Sequence, residues 1–171
     1  TLQHLHDNPQ RLHRTVPRDP ADSSRMRRQM LRFLQKRKFR LVTRWKSALK
    51  DNIGFQLPSQ QHFPYALIFR AFDEVVRLLK TDSSNDRIDL HESLLSEFPG
   101  EDCPSADQYM ELFLTGRDVL GEFVESDPAF CSLPSTIERQ ALRSAMEKAF
   151  KQLIDREMRE HARRHSSFMP G

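Results

Sequence analysis

Histidine is the side chain best suited to ligate a metal or move a proton at neutral pH, and this chain has seven. Three of them, His4, His6 and His13, fall in the proline-bearing stretch TLQHLHDNPQRLHRTVPRDPA (1–21). With little periodic apolar content, that stretch reads as a flexible arm or linker, not as a metal site. His91 stands beside Leu90, Leu94 and Leu95. Haem ligation there would need a wide apolar pocket as well as the imidazole, which makes a haem-binding sensor the lesser alternative. The two cysteines, Cys103 and Cys131, have no CxxC or HxxxH spacing near them, so no zinc site is expected. They flank an expected helix, 105–125, whose ends lie about 30 Å apart at ~1.5 Å per residue. A disulfide needs Cα atoms within about 7 Å, so reduced thiols in a cytoplasmic chain are expected.

Nucleophilic and acid–base chemistry fares no better. The serines cluster in turns and caps, where hydrogen bonds to backbone explain them. GxSxG, the P-loop and GxGxxG are missing from the sequence, so neither a nucleophile elbow nor a phosphate cradle is expected. Asp73–Glu74 and Glu101–Asp102 are adjacent pairs, and neighbours on a helix point apart. Without ExxH there is no di-iron signature. No catalytic residue and no cofactor are therefore assigned, and a non-enzyme is expected.

The elements that would position any site are helical. RRQMLRFLQKRKFRLVTRW (27–45) interleaves cations with apolar side chains and extends to an expected helix from about Asp22 to Lys50, capped by Asp22, Ser23 or Ser24. Met30, Leu31, Leu34, Leu41, Trp45 and Leu49 recur on one arc, with Arg25, Arg28, Arg32, Lys36 and Arg40 opposite. Arg27, Arg37, Lys38 and Arg44 intrude on the apolar arc and are expected to snorkel at its edges. Pro64 suits the first turn of a second helix to Lys80, with Ile68, Phe72, Val75, Val76 and Leu79 inward. A shorter third helix is expected near Arg87–Phe98. Ser105 and Gln108 form a capping box for the fourth, which buries Tyr109, Leu112, Phe113, Gly116, Leu120 and Phe123. Gly116 within the apolar face points to the close approach of another element. Ser135 and Glu138 form a second box for a last helix to about Arg164. Ala141, Ala145 and Ala149 follow at helical spacing there and suit a close neighbour, a dimer seam above all. The expectation is an all-α antiparallel bundle of about five main helices. It forms a single helical domain at 22–165 between the arm and a short flexible tail, 166–171.

Charge is unevenly spread. Residues 1–50 carry 14 Lys and Arg against 3 Asp and Glu, whereas residues 51–130 carry 5 against 16. A basic first helix oriented on an acidic middle accounts for this within one chain. The alternative is a nucleic-acid interface built from Arg25, Arg27, Arg28, Arg32, Lys36, Arg37 and Lys38. No run of 18 apolar residues occurs, so no membrane span is expected, and no apolar leader follows the start. Opening on Thr1, the sequence reads as a processed product or a piece of a longer polypeptide.

Four segments, RWKSALKD, FPYALIFRAFDEVVRLL, SADQYMELFLTGRDVLGEFV and ALRSAMEKAFKQLIDREM, resemble in order and spacing the N-terminal domain of RsbR/RsbRD-type stressosome co-antagonists, a module also found ahead of sensor histidine kinases. The resemblance spans roughly residues 39–158. It implies a bundle or globin-like fold without obligatory haem, a final helix leading toward an output domain, and a role in signal input and dimerisation. The expected function is thus a sensory or regulatory helical domain working through protein partners or a homodimer. Trp45, Phe72, Tyr109, Phe113 and Gly116 are expected to pack its helices or a partner's.

Overall fold

A computed structural model of the chain describes residues 20–51, 63–80, 93–97, 104–128 and 136–166. The described residues form five α-helices and one 3-10 turn, with no strand among them, so the all-α expectation holds. The helices are α1 (Pro20–Lys36), α2 (Lys38–Asp51), α3 (Phe63–Lys80), α4 (Ala106–Ser126) and α5 (Thr136–Ser166). The turn spans Leu94–Glu97 and precedes α4.

The long first helix is two helices. Arg37 lies between them, its N–H shared between the carbonyls of Phe33 (3.2 Å) and Leu34 (3.1 Å). Leu34 is buried, and the position one turn on is Lys38, which is half-buried. Lys38 reaches Asp73 on α3 at 2.6 Å with its ammonium 5.2 Å from the Phe69 ring centroid. Beyond the break, α2 resumes the apolar stripe with Leu41, Val42, Trp45 and Leu49. The described part of α1 opens at Pro20, and Asp22, Ser23 and Ser24 fall within the helix.

Among the described residues, the expected third helix is represented by the 3-10 turn alone; residues 87–92 and 98, and with them His91, lie outside the described set. So do His4, His6, His13, Cys103, Cys131 and Ser135, the proposed cap of the last helix. The cap of α4 is as expected. Ser105 accepts from the Gln108 N–H (3.2 Å), and the Gln108 side chain accepts from the Ser105 N–H (3.1 Å).

Helix α5 packs against α3, α4 and the turn, while α4 also packs on α2. Between them lies one core, with Trp45, Phe72, Tyr109, Phe113, Phe123 and Phe150 as its largest fully buried side chains. Each such side chain contributes about 1.5–3 kcal/mol or more through apolar area removed from water.

Candidate functional site

Trp45 anchors one end of the core. Its ring lies against Gly116 so closely that a Cβ there would run into Cζ2, Cε2 and Cη2 of the indole. Its Nε1–H donates to the Leu112 carbonyl at 2.9 Å, so both the apolar body and the polar edge of the ring are satisfied. Phe150 of α5 completes the contact, ring centroids 6.0 Å apart. The close approach expected at Gly116 is therefore that of an aromatic side chain on α2. Tyr109 and Phe113 meet edge to face at 4.7 Å. All five residues expected to pack the helices are buried and touch within the chain's own core.

Of the alanines expected to form a dimer seam, Ala141 is exposed, Ala145 is half-buried and Ala149 is buried in that core. The three do not present one continuous outward face. Ala149 serves this chain's own packing.

The other end of α5 is polar. Glu157 and His161 are the buried polar side chains among the described residues, and they continue the face begun by Leu142, Met146, Ala149, Phe150 and Leu153. One Glu157 oxygen accepts from the Ser93 hydroxyl (2.5 Å) and the Tyr109 hydroxyl (2.7 Å). The other accepts from the Leu94 N–H (3.1 Å) and from Arg156 at 3.1 and 2.8 Å. Arg156 also donates to Glu74 on α3 (2.5 Å), to which Arg77 donates at 3.2 and 2.6 Å. A fully buried carboxylate with donors on both oxygens meets the condition under which interior charge is tolerated. The cluster ties α3, the 3-10 turn, α4 and α5 to one another.

Burial on its own pushes the Glu74 carboxyl up, but hydrogen bonds and charge from Arg77 and Arg156 outweigh it and hold the group below its ordinary value of 4.5. Burial likewise favours the neutral form of Arg156, yet Glu74 and Glu157 raise its pKa above the usual value. Both partners are thereby fixed as ions.

One turn beyond, the His161 Nε2 lies 3.0 Å from the Pro104 carbonyl oxygen and 3.2 Å from the His165 Nε2. The stretch HARRH (161–165) carries an HxxxH spacing far along the chain from both cysteines. Periodicity treats it as a charged helix exit, which hides the pairing. Among the described residues, no group of three or more His, Cys, Asp or Glu is arranged around a metal position.

The basic residues divide. Arg25, Arg28, Arg32, Lys36, Arg40 and Arg44 are exposed, whereas Arg27, Arg37 and Lys38 are half-buried. Arg27, Arg37 and Lys38 are thus partly covered at the edge of the stripe; Arg44 points outward and meets Glu122 at 3.7 Å. Two ion pairs, Lys38–Asp73 and Arg44–Glu122, join the basic α2 to the acidic middle.

A surface groove of about 240 Å³ between α4 and α5 is lined by Arg117, Asp118, Glu122, Glu125, Arg143 and Glu147, with Gly121 and Met146. Arg143 pairs with Glu125 and lies 3.6 Å from Glu147. These charges are exposed, and screened surface pairs of this kind contribute little. No described helix is long and apolar enough to cross a membrane. Compared with protein-family models, curated proteins and solved structures, the chain matches none.

Proposed function

We propose that this chain is a non-enzymatic regulatory module of the input-domain kind that its resemblance to stressosome co-antagonists implies, with α5 carrying the signal to a protein partner or output domain. The observation that supports it is the division of α5. One 31-residue helix (Thr136–Ser166) is locked at its start by apolar packing and held near its end by directional hydrogen bonds through Glu157. Close-packed apolar surfaces have one good arrangement. A hydrogen-bonded hub has discrete alternatives, so a ligand or partner that favours one shifts the population between them. Glu157 itself is occupied on both oxygens, which makes it an anchor. Tyr109→Phe removes one donor from the hub while leaving the ring packed. Tryptic cleavage at Arg156–Arg164, followed by mass spectrometry, is then expected to rise severalfold with Trp45 emission unchanged. Loss of the Trp45 signal in step with that cleavage would contradict two separable packings.

A second reading is favoured by one feature. Arg25, Arg28, Arg32 and Lys36 recur at spacings of three and four on the exposed face of α1, a cationic line about 16 Å long at ~1.5 Å per residue. Half-exposed neighbours and Phe39, 70% exposed at the helix break, adjoin it. Such a line suits a phosphate backbone. Anisotropy of labelled single- and double-stranded oligonucleotides tests it. Binding that weakens steeply between low and moderate salt, and further in an Arg28→Ala/Arg32→Ala chain, is the expected result. No binding at low salt disposes of it.

A further inference from the structure

We infer that His161 and His165 form a chelating site for a borderline first-row divalent cation, Zn2+ being the representative ion. The two residues are one helical turn apart on α5, with ring centroids 4.3 Å apart and planes inclined at 48°. Their Nε2 atoms are 3.2 Å apart. An ion bound at about 2.0–2.1 Å from each imidazole places two nitrogens about 3.3 Å apart at tetrahedral corners, or about 2.9 Å at adjacent octahedral ones. The observed separation lies between these values, and one ion contacts both nitrogens once the rings turn outward from their 4.3 Å centroid separation to about 5 Å.

The protonation arithmetic points the same way. A carbonyl oxygen can only accept, so the His161 Nε2 carries its hydrogen toward Pro104. A neutral His165 ring with its hydrogen on Nδ1 offers its Nε2 lone pair within 3.2 Å of the His161 Nε2. A divalent ion bound by both nitrogens takes the place of the hydrogen that His161 Nε2 directs at Pro104, and that proton moves to Nδ1. No charge or electron is left unaccounted for. The Pro104 carbonyl, released from that N–H, is then available as a third, oxygen donor, with water completing the sphere.

The electrostatics permit a cation despite the arginines on either side. Arg163 donates to both Glu160 oxygens (2.9 and 2.5 Å), and Arg164 reaches Glu160 at 3.5 Å. The Glu160 carboxyl is held below its ordinary value chiefly by the Arg163 hydrogen bonds. The pair also sits in the final described turns of α5, toward the end of the helix dipole that favours positive charge. His165 is exposed and gives the ion access; His161, 6% exposed, fixes the inner ligand. Imidazole pairs of this type select Zn2+, Ni2+ or Cu2+ over Mg2+ or Ca2+.

Calorimetric titration of the full chain with Zn2+ tests the site, with His165→Ala and a His4→Ala/His6→Ala/His13→Ala chain alongside. Because His165 is exposed, its removal is expected to leave Trp45 emission and helicity unchanged, which is checked first. The unsubstituted and arm-substituted chains are expected to bind one ion with similar affinity, and His165→Ala at least tenfold more weakly. Mg2+ is expected to give no heat. Unchanged binding in His165→Ala, loss of binding in the arm-substituted chain, or no binding by the unsubstituted chain would each overturn the proposal.

Discussion

The two halves of α5 occupy one continuous face yet hold by different physics. From Leu142 to Leu153 the buried positions are apolar, and Phe150 among them stands 6.0 Å from the Trp45 ring. From Glu157 to His161 the same face is buried but polar, and each position is held by named donors or acceptors. Apolar packing tolerates volume-conserving exchange and punishes cavities. A buried polar cluster is indifferent to neither atom type nor protonation, because one missing partner strands the rest. The first half therefore fixes the fold, and the second is the part that chemistry outside the chain can address.

The largest effects remove the centre of either half. Trp45→Ala is expected to destabilise the chain by about 3–5 kcal/mol through cavity formation, and Glu157→Ala by about 3–5 kcal/mol because the Tyr109 hydroxyl and the Leu94 N–H lose their acceptor, at about 1–3 kcal/mol each. Urea unfolding followed by far-UV circular dichroism measures both. The comparison is sharpened by their companions. Trp45→Phe is expected to recover much of the lost stability, whereas Glu157→Leu is not, since the Tyr109 and Ser93 hydroxyls and the Leu94 N–H stay unpaired.

Gly116→Ala comes next, at about 1–3 kcal/mol of overpacking against the indole. Combined with Trp45→Ala it is expected to cost far less than the sum, because the ring it strikes is gone. Additive effects would break the assigned contact.

Acid tests the polar half selectively. Glu74 has a folded pKa below its ordinary value of 4.5, so its contribution is fully present above that value and is lost as pH falls through the folded one. Stability measured from pH 6 to pH 3 is expected to decline on that limb, and to decline less in an Arg77→Met/Arg156→Met chain, which lacks the groups that lower it. The smallest effect is Ser105→Ala, about 1 kcal/mol for the α4 cap.

Much of the apolar core was legible in the sequence. Ile68, Phe72, Val75, Leu79, Tyr109, Phe113 and Phe123 recur at helical spacing because each was needed on an inward face, and all are buried. Gly116 stood out as an expensive residue in a helix interior, and its Trp45 neighbour explains it. The polar half was hidden for a physical reason. Periodicity registers apolar residues, so Glu157 and His161 looked like part of a solvated exit, although they lie on the face that Leu142 begins. Their burial depends on Ser93, Leu94, Tyr109 and Pro104, which are 48 to 64 residues distant from the side chains they meet. The break at Arg37 was equally obscure, since the apolar stripe of α1 resumes in α2 almost in phase and conceals the charged step at Lys38.

Native-state hydrogen exchange along α5 tests most directly whether its two halves are separable. Amides of residues 142–153 are expected to exchange only through global unfolding, with steep denaturant dependence, while those of 157–165 open at lower free energy with shallow dependence. A single free energy and a single slope along the whole helix would contradict the account.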